Sequence, residues 1–184
     1  MTILNIRPID LSRIVEKLSD VVDFKSDLPS KVFFESGLVF WFFERPLLTF
    51  IEVVSGLISK SIASYGVNVF VKFSGDELLD NSCIVFDGCD TENKILIVND
   101  EYVDFLGGEV GYPIVLFNET HDWVAFESAH EEFGVIAVRE ASLPKDFSEY
   151  LESNFISAKI LDELALSSTA DGLIARAFKK SYSS

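Results

Sequence analysis

Three short apolar runs, Tyr112–Phe117, Trp123–Ser128 and Phe133–Arg139, follow one another with only Asn118–Asp122 and Ala129–Glu132 between them. Such links are too short for a crossover helix, so the runs must fold back on each other as an antiparallel meander. Val67–Phe73 adds strict alternation, with Val67, Val69, Val71 and Phe73 on one face and Asn68, Phe70 and Lys72 on the other. Ser82–Phe86 and Lys94–Val98 flank Asp87-Gly88-Cys89-Asp90, which predicts a hairpin with an acidic tip. Lys31–Glu35 and Leu38–Phe43 read as two further strands about a Ser36-Gly37 turn.

Helical spacing lies on either side of this β-rich stretch. Leu11, Ile14, Val15, Leu18, Val21 and Val22 recur at helical intervals after Asp10, an expected N-cap. Pro46 suits a first helical turn, and Leu47, Phe50, Ile51, Val54, Leu57, Ile58 and Ile62 then share a face up to Gly66, an expected stop. Asp100–Leu106 reads as a short helix or loop before Gly107-Gly108. Beyond Pro144 three helical segments are predicted, the last opening at Ser168 or Thr169 and ending with Lys179 and Lys180 at the favourable end of its dipole. The fold class is therefore α+β, a single domain over residues 1–184: an antiparallel meander sheet packed with N-terminal and C-terminal helices. A hydrophobic fraction of 48% with 17 Phe supplies its core.

Charge is distributed unevenly. Between Phe73 and Val138 stand 15 of the 30 acids and one base, Lys94, whereas the remainder of the chain is nearly neutral. Confined to β-structure, that excess predicts a field pointing one way, able to steer a basic partner; spread over the surface, it would serve solubility alone. The acidity disfavours nucleic acid and anionic membrane as ligands. The apolar region from Gly37 to Ala63 is split by Glu44, Arg45, Pro46 and Glu52, leaving no membrane-spanning run. MTILNIRPID has no long apolar stretch after its arginine and predicts no secretory signal. Cys83 and Cys89 form neither a disulfide framework nor a zinc or redox spacing, so reduced thiols in a cytoplasmic protein are expected.

No catalytic pattern emerges. The chain has no G-x-S-x-G, Gly107-Gly108 leads into Glu109 rather than a phosphate-binding Lys, and Asp87–Glu92 lacks the alternation of a calcium loop. His121 and His130 bracket a strand spanning roughly 17 Å, too far apart to share a metal, and are expected as exposed loop residues. No metal or other cofactor is expected. The carboxylates are so numerous that pairs for acid–base hydrolysis can be drawn anywhere, which leaves a hydrolase or a scaffold protein as alternative readings.

The stretch YPIVLFNETHDWVAFESAHEEFGVIAVR, Tyr112–Arg139, resembles the acidic meander of bacterial immunity proteins of contact-dependent growth inhibition and other polymorphic toxin systems. The likeness rests on an apolar strand, a turn ending in Asp122-Trp123, a Phe-Glu strand, and Glu-Glu-Phe before a small, β-branched strand. It implies a non-catalytic cytoplasmic inhibitor that binds a toxin domain, such as a nuclease with a basic groove. The expected partner-binding carboxylates are Asp87, Asp90, Glu92, Asp100, Glu101, Asp104, Glu119, Asp122, Glu127, Glu131 and Glu132. Tyr102, Tyr112 and Trp123 are the expected desolvated contacts, while Phe117 and Phe126 are assigned to the core.

Overall fold

Along Leu38–Glu44 (β1) every residue but the last is apolar, so neither face of that strand can be left to water. The computed structural model describes residues 8–105 and 111–182, with the backbone alone at 8–9 and 99–105. It places β1 in a seven-stranded antiparallel sheet with Val69–Lys72 (β2), Cys83–Phe86 (β3), Ile114–Asn118 (β4), Trp123–Glu127 (β5), Phe133–Arg139 (β6) and Ile156–Ser157 (β7). The spatial order is β3-β2-β4-β5-β6-β1-β7.

Both faces of the sheet are covered. Trp41, Phe43, Val69, Val71, Leu116, Trp123, Ala125 and Ile136 lie under Ile51–Tyr65 (α2), Thr91–Phe105 (α3) and Lys145–Asn154 (α4), which contribute Val54, Leu57, Ile58, Ile95, Val98, Phe147 and Leu151. On the opposite face Phe42, Val115, Phe117, Val124, Phe126 and Val135 meet Leu18, Leu161, Ala175, Phe178 and Tyr182 from Pro8–Ser19 (α1), Ala158–Leu164 (α5) and Ala170–Tyr182 (α6). The result is one α+β domain of three layers, with the predicted meander intact as β4-β5-β6. α2 ends at Gly66, whose φ of 70° lets its N–H reach the Ile62 carbonyl. α1 begins at Pro8, so Asp10 sits inside its first turn rather than before it.

Two expectations are corrected. Lys94–Val98 is not a strand but part of α3: Lys94, Ile95 and Val98 fall on one helical face and are buried, while Leu96 points outward. The β-branched residues favour a strand locally, but burial against α2 prevails over propensity. Lys31–Glu35 does not pair with β1. It carries a single bridge, Val22↔Phe33, and crosses the second face, where the Tyr182 hydroxyl donates to the Ser30 carbonyl. β1 instead takes β6 along its full length.

With both faces closed, a carboxylate on a mid-strand position would be buried. Glu127, at the end of β5, is buried; the remaining described acids lie in loops, at strand ends or on outer helix faces. Among the described residues the segment's charge is thus concentrated at the two ends of the sheet.

Candidate functional site

Val69 stands opposite Phe86 on one side and Asn118 on the other. The turn after β3, carrying Asp87, Asp90 and Glu92, therefore emerges beside the β4–β5 turn, carrying Glu119 and Asp122. With one strand between them, the two turns are separated by roughly 10 Å. Asn68 joins them to the sheet: its carbonyl accepts from the Glu119 N–H at 2.9 Å, and its amide donates to the Glu119 carboxylate at 3.4 Å. Asp87, Asp90, Glu92 and Glu119 are exposed, and Asp122 is half-buried.

Local bonding holds these carboxylates in place. Asp87 accepts from Lys94 Nζ at 2.6 Å and from the Cys89 N–H at 3.0 Å, and the lysine bond is the main reason its carboxyl lies below the usual range. Asp90, at φ 53°, accepts from Asn93 Nδ2 at 2.6 Å and turns the chain into α3. The buried Asn118 organises the second turn, its Oδ1 accepting from the Asp122 N–H at 2.8 Å and its Nδ2 donating to Asp122 Oδ2 at 3.1 Å. Partial burial works to raise the Asp122 carboxyl, but bonds from Thr120, Ser142 and Asn118, with Arg139 nearby, keep it ionised below its ordinary value. Arg139 is itself held by a two-pronged pair with Glu35, at 2.8 and 2.6 Å. Lys94 and Arg139, two cations beside these turns, are thus already committed to carboxylates.

The predicted acids do not form one face. Successive turns of a meander emerge at alternate ends, so Glu131 and Glu132 lie at the far end of the sheet. There they line a cleft of about 490 Å³ with Glu44, Arg45, His130 and Asp171. Two expected contacts belong to the core instead. Trp123 is 1% exposed, donates from Nε1 to Ser61 Oγ at 2.7 Å and packs on Phe147. Glu127 is 3% exposed, accepts from the Leu47 N–H at 2.8 Å and lies 3.8 Å from Arg45 Nε. Burial pushes its carboxyl upward in pKa, against the bond from Leu47 and the charge of Arg45. Trp123 is buried beside a half-buried Asp122, and Phe126 and Glu127 are both buried, because β5 lies mid-sheet with both of its faces covered. Phe117 and Phe126 are buried as expected, and Tyr112 is half-buried. Asp100, Glu101, Tyr102 and Asp104 sit on the α3 backbone, and their side chains lie outside the described residues.

No family model, curated protein or solved structure matches this chain. Among the described residues no three His, Cys, Asp or Glu side chains converge as a metal site, and no helix is long and apolar enough to cross a membrane.

Two buried titratable groups were not legible as such. Lys72 is fully enclosed, its Nζ donating to Ser74 Oγ at 2.5 Å, the Glu77 carbonyl at 2.7 Å and Ser82 Oγ at 3.3 Å. It closes the loop between β2 and β3 onto neutral oxygens, and loss of hydration pushes its ammonium down to about 8. Nitrogen or Cε NMR of the lysines is expected to show one residue titrating near 8; a Lys72 midpoint above 10 would show the amine to be hydrated.

His121, expected in an exposed loop, is buried instead. At φ 55° it turns its ring onto Phe117, 5.2 Å away and nearly parallel, and Phe117 in turn stacks on Phe70. Among the described residues its Nε2 has no hydrogen-bond partner. Burial first, then Lys17 and Arg139, lower its pKa from 6.5, while Glu35 and Asp122 oppose them. The unfolded chain therefore binds this proton first as pH falls. His121's contribution is fully present above about 6.5 and is lost as pH drops through the lowered folded-state value. Stability from urea titrations at pH 7.5 and 5.5 should decline across that interval. The decline should be smaller in His121→Asn, whose side chain tolerates the left-handed backbone. Equal declines in the two proteins would remove His121 from the pH dependence.

Proposed function

We propose that this chain is a non-catalytic binding protein that takes a basic protein partner on the acidic end of its sheet. In this reading the partner is a bacterial toxin domain, a nuclease with a basic groove, and the chain is its immunity protein in the cytoplasm. The observation that carries it is the pair of adjacent turns presenting Asp87, Asp90, Glu92, Glu119 and Asp122 while Lys94 and Arg139 are tied to carboxylates. Asp87, Asp90, Glu119 and Asp122 already accept hydrogen bonds from Lys94, Asn93, Asn68 and Asn118, so little of their side-chain ordering remains to be lost when Lys and Arg arrive. The resemblance of Tyr112–Arg139 to immunity-protein meanders supports the same class of partner, and a nuclease groove supplies the opposite charge.

The experiment is a growth assay with the C-terminal domain encoded by the gene immediately upstream, expressed with and without this chain. Arrest relieved only by co-expression is expected. Toxicity without rescue, or no toxicity, would overturn the reading.

A further inference from the structure

The far end of the sheet carries a different kind of surface. On its outer side β1 is paired, among the described residues, by β7 at Trp41 and Phe42 alone, although β6 follows it from Leu38 to Glu44. The Arg45 N–H donates to the Glu132 carbonyl, so in the alternating pattern of an antiparallel ladder Arg45 faces β6 and Glu44 turns its backbone groups to the open edge. Beside that edge runs a groove of about 400 Å³, floored by Phe43, Leu47 and Phe155 and flanked by Phe50 and Ile160, which are 45% and 41% exposed. At Glu44 the groove meets the cleft lined by Glu131, Glu132 and Asp171. Arg45, the one Lys or Arg among the described residues lining that cleft, already donates to the Glu131 carbonyl at 3.0 Å and sits beside Glu127.

We propose that this edge is a docking site for an extended segment of a partner polypeptide carrying apolar residues and Lys or Arg. The segment adds to β1 beyond β7 through backbone hydrogen bonds, its apolar side chains fill the groove, and its basic side chains meet Glu44, Glu131, Glu132 and Asp171. Charge complementarity selects that occupant over a second copy of the chain, because two-fold pairing of β1 edges would bring the same carboxylates against each other. The site is independent of the acidic end at Asp87–Asp122 and stands or falls separately from it.

The test uses the full chain and a capped ten-residue peptide alternating Lys and Val, with an alternating Glu and Val peptide as control. Binding is read by fluorescence anisotropy and mapped by amide chemical shifts. Saturable binding of the Lys peptide alone is expected, with shifts at Glu44, Phe50, Phe155 and Ile160. The exposed-residue variant Phe50→Asp/Ile160→Asp should weaken it about tenfold or more, while Asp90→Lys/Glu119→Lys at the other end leaves it within about twofold. Four results would each overturn the proposal: no saturable binding, equal binding of the Glu peptide, shifts confined to the Asp87–Asp122 end, or sedimentation showing that Phe50→Asp/Ile160→Asp abolishes a dimer of the free chain.

Discussion

Trp123→Ala is expected to destabilise the chain by about 3–5 kcal/mol, the range for emptying a large aromatic site in a packed core. The indole fills the layer between the sheet and α4, where it touches Phe147 and is sealed from solvent. Truncation would also leave the enclosed Ser61 hydroxyl without the Nε1 donor it accepts from. Because a domain's whole stability is about 5–15 kcal/mol, the loss would be visible as a large drop in the urea midpoint. Trp123→Phe should recover part of it by refilling most of the volume. A change below about 1 kcal/mol for the alanine variant would return Trp123 to the surface role that its acidic neighbourhood predicts.

The opposite behaviour is expected of the exposed acids. Asp90→Asn/Glu92→Gln/Glu119→Lys should leave stability within about 1 kcal/mol, since the three acids are exposed and Asn at position 90 keeps both the left-handed turn and an oxygen for the bond from Asn93. Association with a basic partner should slow by about 100-fold at low salt, the scale on which removing and reversing steering charge acts. The wild-type rate should itself fall steeply as salt shortens the screening length, and the variant's should hardly change. Stopped-flow association over a salt series checks both. Equal rates for the two proteins, or a salt-independent wild type, would show the carboxylates to serve solubility alone. Measured together, the two experiments separate a residue that builds the fold from residues that meet a partner.

The elements that could be read in advance are those whose signal is local. Alternation in Val67–Phe73, the short links either side of Trp123–Glu127, the helical face from Ile51 to Ile62 and the stop at Gly66 are each stated within a dozen or so residues of chain, whereas the helix expected from Pro46 begins only at Ile51, after a 3-10 turn at Leu47–Thr49 and an exposed Phe50. Lys94–Val98 misled because its β-branched residues satisfy a strand locally, and the burial that makes it a helix is provided by α2, some thirty residues away. Lys72 escaped for a related reason. Its place in the Val67–Phe73 alternation shows which face it shares with Phe70, but not that the β2–β3 loop folds back to enclose its ammonium.

The acidic surface shows the same division. Which residues carry the charge, and that Glu119, Asp122, Glu131 and Glu132 belong to turns of a meander, follows from the sequence alone; Asp87–Asp90, expected as a hairpin tip, instead leads into α3. That Asp87 and Glu119 are neighbours depends on β2 lying between β3 and β4, a non-local pairing that no stretch of chain specifies. That Glu131 and Glu132 lie at the opposite end follows from the meander itself, whose successive turns alternate between ends. Period-two alternation and short links thus determined the antiparallel sheet, its helical flanks and the sign of its charge. Tertiary structure decided that the Asp87 and Glu119 turns share an end and that Trp123 and Glu127, both expected as partner contacts, are buried, because burial and strand order are set by contacts between segments far apart in the chain.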